Sequence, residues 1–352
     1  MVIEIAIDLG YGYTKAVSRY GPRVLFPSVV GRGFQRFSDQ PLAREGRPQY
    51  EVRVGGQRYF VGDLALRECW DAVRAFDEDR ARHFSTPVLL AAAASLVAGE
   101  ARISLSTGLP LELYKSQKDD FKKAISSFDE YVEVTGFVPK RRLTFEEVRV
   151  YPQACGAFYS FILNANGEPS GEGARLLEEG GLVGVVDIGY KTTDFVLMDL
   201  SRLQPIKPMS GTLNVGMSDL YRDVQIALQE ETGDVLDNLK VEEAVNKGTL
   251  WLRGRRYSVA EHLSTAKSVL ARTITDRLQS AWRDQTKYIR TVLLAGGGAA
   301  FLRDALRLDD TSLCVLPEPQ FANALGFLAA AVLEKNSVVA GTGPHFETKT
   351  PA

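Results

Sequence analysis

An aspartate closes a β-rich run and is followed at once by spaced glycines and a lysine, in the order Asp8-Leu9-Gly10-Tyr11-Gly12-Tyr13-Thr14-Lys15. Glycines let backbone N–H groups approach phosphate oxygens without a Cβ in the way, and Lys15 can neutralise their charge. An aspartate at a strand end suits a hydrated magnesium ion, which keeps most of its waters and takes few direct protein ligands. Taken alone, the segment reads equally well as an ordinary glycine-rich hairpin. Half a chain later the logic repeats in Asp187-Ile188-Gly189-Tyr190-Lys191-Thr192-Thr193-Asp194. Two such turns facing one another would clamp a phosphate chain from both sides and place Asp8 and Asp187 across one metal ion. A third run, Gly296-Gly297-Gly298-Ala299, lies between an apolar stretch and a helical one. It could lie flat against a base and ribose, with the helix N-terminus near an α-phosphate; the alternative is a plain strand-to-helix turn.

The elements that must hold these residues follow from the periodicity. Each aspartate motif reads as strand, tight turn and returning strand, because aliphatic and β-branched runs flank it on both sides. Between the copies we expect strands at 102–107 and 142–150 and helices at 87–97, 115–126 and 153–162. After the second copy come helices at 218–231, 240–246 and 259–282, a strand at 291–295, and a final helix at about 320–334. Short β-like pieces at 50–54 and 57–61 suggest a small subdomain inserted at about 28–85. The segment 164–181 carries five glycines and reads as an exposed connection. From residue 336 the chain is polar and is expected to be a disordered tail. Alternating strands and helices give an α/β class, and the repeated motif gives two lobes, 1–160 and 161–335, with the final helix packing back toward the first.

A length of 352 residues exceeds one usual hydrophobic core, in keeping with two lobes. A net charge of −2 offers no electrostatic reason for duplex or membrane binding, so contact with nucleic acid is expected to be indirect. The three cysteines are scattered and odd in number, which supports neither a disulfide framework nor a zinc site. The start lacks the charged and apolar regions of a signal peptide, and the most apolar stretch, 88–98, is too short to span a bilayer. A cytoplasmic protein is the expectation.

Taken in order, the first turn, Tyr151-Pro152-Gln153-Ala154-Cys155-Gly156-Ala157, the second turn, the Gly296–Gly298 turn and Ala322-Asn323-Ala324-Leu325-Gly326-Phe327 resemble the motif set shared by actin, sugar kinases and chaperone ATPases. The resemblance covers about residues 3–331. Phe26-Pro27-Ser28-Val29-Val30, Tyr59-Phe60-Val61-Gly62-Asp63, Thr107-Gly108-Leu109-Pro110 and Leu213-Asn214-Val215-Gly216 are similar to ParM/StbA-type and archaeal actin-like proteins. The resemblance implies a two-lobed actin-like fold, each lobe a mixed sheet flanked by helices, with the nucleotide in the interlobe cleft. It implies ATP as the nucleotide, with GTP the alternative, and Mg2+ organised through water by Asp8 and Asp187.

Residue by residue, it implies that Gly10, Gly12, Lys15, Gly189 and Thr192, with Tyr11, Tyr13, Thr14, Tyr190 and Lys191 of the same turns, hold the β- and γ-phosphates. Gly296, Gly297, Gly298 and Ala299 would line the adenosine pocket, and Gly216 would approach the ribose. Gln153 would orient the attacking water or, alternatively, cap its helix; glutamine is a poor general base, so hydrolysis is expected to be slow. Glu243 either reaches the adenine or lies on a solvated helix face. Cys155, Gly156 and Gly326 are expected to pack two connecting helices closely.

The expected function is an ATPase that assembles head to tail with itself into filaments, in plasmid or DNA segregation through a DNA-binding adaptor protein or as a cytoskeletal element. A non-polymerising regulatory ATPase and a small-molecule kinase of the same superfamily are the alternatives. A kinase would call for large insertions and a catalytic aspartate in a sugar pocket, and neither is identifiable.

Overall fold

The computed structural model describes residues 2–34, 48–74, 79, 81–99, 102–308 and 311–340. Its contacts divide the chain into two units, Met1–Glu179 together with Gln320–Ala352, and Gly180–Pro319. The expected tail beyond 340, and residues 35–47 of the expected inserted subdomain, lie outside the described residues.

The first unit is built on a mixed sheet. In chain order its strands are β1 (Ile3–Leu9), β2 (Tyr13–Ser18), β3 (Arg23–Pro27), β4 (Val29–Arg32), β5 (Tyr50–Val54), β6 (Gln57–Val61), β7 (Val73–Arg74), β8 (Arg102–Leu109), β9 (Asp129–Val134) and β10 (Val138–Pro152). Among the described residues they run in the order β3-β2-β1-β8-β10-β9-β5-β6-β4-β7. Strand β1 pairs antiparallel with β2 and parallel with β8, which is in turn parallel to β10. The helices are α1 (Asp63–Glu68), α2 (Ser85–Ala98), α3 (Leu111–Ser126), α4 (Cys155–Ile162), α5 (Gly171–Glu179) and, from the far end of the chain, the helix Ala322–Ala340. Helix α2 is alanine-rich and buried on every side, because small side chains let it lie deep among the strands of the sheet.

The second unit repeats the plan. Its strands are β11 (Leu182–Ile188), β12 (Thr193–Asp199), β13 (Gln204–Pro205), β14 (Gly211–Leu213), β15 (Thr249–Leu252), β16 (Arg255–Ser258), β17 (Ile289–Ala295) and β18 (Leu313–Val315). The main sheet runs β13-β12-β11-β17-β18, with β14 also on β12. The order β12-β11-β17-β18 reproduces β2-β1-β8-β10, with the same antiparallel return and the same two parallel neighbours. The helices are α6 (Met217–Thr232), α7 (Asn238–Lys247), α8 (Ala260–Trp282) and α9 (Ala299–Leu302), so that Ala322–Ala340 is α10. Trp282, fully buried at the end of α8, lies on β11 at Gly184, where a Cβ would come within 2.8 Å of its ring. Its indole N–H donates to the Met209 carbonyl at 3.0 Å, satisfying the buried donor.

Three local readings are corrected. The glycine-bearing segment expected to be a loop contains α5; its Gly173 sits against the Ile162 backbone so closely that a Cβ would be 2.2 Å from the carbonyl oxygen. Glycine there serves close packing rather than turning. The helix expected from 153 begins at Cys155, leaving Gln153 in the turn after β10. Helix α10 runs to Ala340, so residues 336–340, expected in the tail, are helical. The hairpin β15–β16 was not expected from the sequence, because the short run 249–258 offers too few apolar positions to show a period of two.

Candidate functional site

The first turn is fixed by its own strands. Asp8 pairs across the β1–β2 ladder with Lys15, and Leu9 with Thr14, which leaves residues 10–13 to turn the chain. The Gly10 N–H donates to the Tyr13 carbonyl at 3.1 Å. A Cβ on Gly10 would meet that carbonyl and the Lys15 ammonium, both at 2.9 Å, so the turn closes only around glycine. Ser28 supports it from β3–β4: its hydroxyl donates to the Gly10 carbonyl at 2.7 Å and lies 2.9 Å from the Thr14 hydroxyl. Thr107 of β8 donates to the Ile7 carbonyl at 2.8 Å, tying the parallel neighbour to the end of β1.

Asp8 is almost fully buried and its charge is met from two sides. Lys15 Nζ is 2.9 Å from Oδ2, and the Gln153 amide donates to Oδ1 at 2.7 Å across 145 positions of sequence. A buried carboxylate held by a lysine on one oxygen and an amide on the other has a fixed orientation. Gln153 is itself buried, and its backbone N–H donates to the Leu109 carbonyl at 2.8 Å. Its NH2 is committed to Asp8, so its side-chain carbonyl is the group able to accept from a water.

The second turn has the same internal geometry. Asp187 faces Asp194 across the β11–β12 ladder, Ile188 faces Thr193, and the Gly189 N–H donates to the Thr192 carbonyl at 2.9 Å. In both copies the glycine two places after the aspartate bonds the residue five places after it. The copies differ in charge: where the first carries Lys15, the second carries Asp194, buried and accepting from the Thr212 hydroxyl.

The other glycine motifs of this unit meet the second turn directly. The first N–H groups of α6 are spent on it, Met217 N–H donating to Gly189 at 3.1 Å and Ser218 N–H to Tyr190 at 2.7 Å. Gly216 stands so close that a Cβ would lie 2.6 Å from the Tyr190 carbonyl. The Gly298 N–H donates to the Ile188 carbonyl at 3.0 Å. Gly296 has φ 84°, and a Cβ there would lie 2.4 Å from the Asp187 carboxylate. Thus 187–192, 216–218 and 296–298, scattered in sequence, form one cluster.

One residue of the expected set, Glu243, stands apart from these turns in its bonding. Glu243 projects from the exposed face of α7 and pairs with Lys240 at 3.5 Å and Lys247 at 2.6 Å. Those lysines hold its carboxyl below the ordinary range, chiefly through the Lys247 hydrogen bond. Its neighbour Glu242 is the residue that reaches the turn, accepting from the Tyr190 hydroxyl at 2.5 Å. Sequence reasoning did not assign roles to Ser28, Asp194 or Glu242; spacing alone carries no signal for them.

The donor set is all oxygen, which suits magnesium. Among the described residues no group of three or more His, Cys, Asp or Glu side chains is gathered as a metal cage. Asp8 and Asp187 each offer carboxylate oxygens, donors of the kind a largely hydrated magnesium ion takes. Among the described residues no helix is long and apolar enough to cross a membrane.

A doubled α/β unit carrying a strand–turn–strand motif after its central strand defines the actin-like class of fold. The family description "Actin like proteins N terminal domain" matches residues 6–156, and "Archaeal actin homologue MreB-like, C-terminal" matches residues 185–308. The chain belongs to the actin-like superfamily. It is 26% identical to an archaeal actin homolog of Thermoplasma volcanium, over 94% of this chain and 99% of that one. Among solved structures it is similar to a ParM from a 15-stranded filament of Clostridium botulinum, with 26% identity, a TM-score of 0.79, and coverage of 93% of this chain and 98% of that one. It shares the fold of Ta0583, an archaeal actin homolog solved in complex with ADP, at 20% identity and a TM-score of 0.79, covering 94% and 99% of the two chains.

Proposed function

We infer that both turns serve one nucleotide, and that this chain is a magnesium-dependent ATPase whose bound nucleotide controls head-to-tail assembly into filaments. The observation that carries the reading is the matched pair of turns, Gly10 N–H to Tyr13 and Gly189 N–H to Thr192, each glycine two places after an aspartate that is the next-to-last residue of its strand. The ParM relative is a filament protein and Ta0583 was solved with ADP, which supports the extension to nucleotide and polymer. In this reading Asp8 and Asp187 hold magnesium through its waters, while Gly10, Gly12, Lys15, Gly189 and Thr192 cradle the β- and γ-phosphates. The ion, when bound, offsets phosphate charge; the chain's own groups orient the phosphates and the attacking water. Gly296–Gly298 and Ala299 line the adenosine, and Gly216 approaches the ribose.

Gln153 orients the attacking water through its side-chain carbonyl, held in place by its bond to Asp8. An amide does not take up a proton at neutral pH, so turnover is slow, as suits a filament whose lifetime is set by hydrolysis. Gln153→Ala is expected to lower the rate of phosphate release by about tenfold or more while nucleotide affinity stays within about threefold. Equilibrium binding of a fluorescent ATP analogue checks this; loss of binding would make the residue structural instead.

Filament formation, in the cytoplasm and acting on DNA through an adaptor or as a cytoskeletal element, is tested by sedimentation. With Mg-ATP or a non-hydrolysable analogue the protein is expected to pellet, and with ADP to remain in the supernatant. Monomer under every nucleotide condition would favour a regulatory ATPase, and phosphate transfer to a sugar would favour a kinase.

A further inference from the structure

We propose that Asn323 is a positioning residue for Gln153: from α10 its side-chain carbonyl caps the start of α4 and so fixes the turn in which the Gln153 amide meets Asp8. The inference rests on the reading of Gln153 given above.

Helix α4 begins without any capping side chain of its own. Its N-cap position is Ala154 and its third helical residue is Ala157, so neither member of a capping box is present. Both orphan N–H groups are nonetheless satisfied, and by one atom. The Asn323 Oδ1 accepts from Ala154 N–H and from Ala157 N–H, each at 3.1 Å, across more than 160 positions of sequence. Asn323 is buried, so water is a poor substitute for those bonds.

The capped residue is also the strained one. Ala154 has φ 65°, a left-handed conformation that a residue with a Cβ adopts only when its surroundings impose it. That conformation reverses the chain between the end of β10 at Pro152 and the first turn of α4, and Gln153 sits inside the reversal. Its backbone is held on one side by the Leu109 carbonyl at 2.8 Å, and its neighbour on the other side by Asn323. The helices are pressed together at the same place: a Cβ on Gly156 would lie 2.8 Å from the Asn323 carbonyl and 2.5 Å from the Phe327 ring. Asn323 thus has little freedom to leave, and the Gln153 amide inherits its aim at Asp8 from a residue on another helix.

The test compares Asn323→Ala, Asn323→Asp and Gln153→Ala with the double variant Asn323→Ala/Gln153→Ala, in the full chain. Three readouts are taken: phosphate release, nucleotide affinity, and hydrogen exchange at the Ala154 and Ala157 amides. Aspartate keeps an acceptor oxygen at the helix N-terminus and is expected to retain amide protection and turnover near the parent level. Alanine is expected to lose the protection and to lower turnover by about tenfold, with affinity within about threefold. In the Gln153→Ala background it is expected to lower turnover no further, because both changes remove the same orientation. Unchanged protection in Asn323→Ala, or a further tenfold loss in the double variant, would overturn the proposal. Parent-level turnover of Gln153→Ala would instead overturn the role given to Gln153, and would leave the amide result standing as a separate finding. If Asn323→Ala does not fold, the Asn323→Asp variant carries the test: loss of amide protection there also overturns the proposal.

Discussion

Replacing Asp187 by alanine is expected to lower magnesium-dependent ATP hydrolysis about 100-fold or more, with the fold retained. The side chain stands at the end of β11, and its Oδ1 lies where any residue larger than glycine at 296 would collide with it. Truncation opens space next to Gly296, and thermal melting separates its cost to folding from its cost to turnover. In the proposed reading the cost to chemistry is large, because Asp187 would order the waters of a metal ion that offsets the charge developing during phosphoryl transfer. Asp187→Asn separates the two effects: it keeps the shape and removes the charge, and it is expected to lose as much turnover as the alanine variant. Phosphate release at saturating Mg-ATP, with thermal melting as the control for folding, checks both. Asparagine turning over within about threefold of the parent would remove Asp187 from the metal's surroundings.

Gly326→Ala is expected to be the most destabilising small substitution in the first unit. A Cβ at this position would sit 1.7 Å from the Gly156 carbonyl oxygen and 2.8 Å from the Ser160 N, all backbone of α4. No rotamer relieves a clash between backbones, so the helices must move apart. That movement strips contacts from Phe327, which packs flat on Tyr151 with ring centroids 5.6 Å apart. The expected loss is about 3 kcal/mol or more, a fall in melting temperature of roughly 6–12 °C. Gly171→Ala is the control, since nothing lies within 4 Å of a Cβ there and the residue is helical; it is expected to be neutral or slightly stabilising. Calorimetry on the two variants decides the matter, and a Gly326→Ala protein that melts with the parent would show that α4 and α10 do not cross this closely.

The strand–turn–strand motifs were legible in the sequence because their geometry is local. Two β-rich runs and glycines at fixed offsets suffice to write both Asp8–Lys15 and Asp187–Asp194 as hairpins. The same locality explains the correct placing of α2, a dense apolar run, and of α6 and α8, whose apolar residues recur at helical spacing. Helix α5 was hidden because its glycines at 171 and 173 speak for a loop, and only contact with the Ile162 backbone reveals why Gly173 is there. Gln153 was read as the head of a helix because apolar residues follow it without a break; the reversal at Ala154 has no signature in its own side chain. Its cap comes from Asn323, 169 positions away, and a remote acceptor leaves no trace in local spacing. Glu242 left no mark in the sequence either: both glutamates lie on α7, and only the bond from the Tyr190 hydroxyl, 52 positions away, singles out Glu242. What sequence conveys well is the chemistry that each segment carries by itself, and what it conveys poorly is which distant residue holds that segment still.

The internal likeness of the two sheets bears on how such a chain arises. Returning strand, central strand and two parallel neighbours recur in the same order in both units, and the same glycine bond recurs in both turns. Their charges have diverged, with Lys15 opposite Asp8 in one and Asp194 opposite Asp187 in the other.

The central claim is that both turns grip a single nucleotide, and the most direct measurement is a crystal structure of the chain with magnesium and a non-hydrolysable ATP analogue. The account predicts one nucleotide per chain, with N–H groups of residues 10–15 and of residues 189–192 donating to its β- and γ-phosphates and with Asp8 and Asp187 bridged to one metal through water. A nucleotide touched by one turn only, or two nucleotides bound separately, would contradict it.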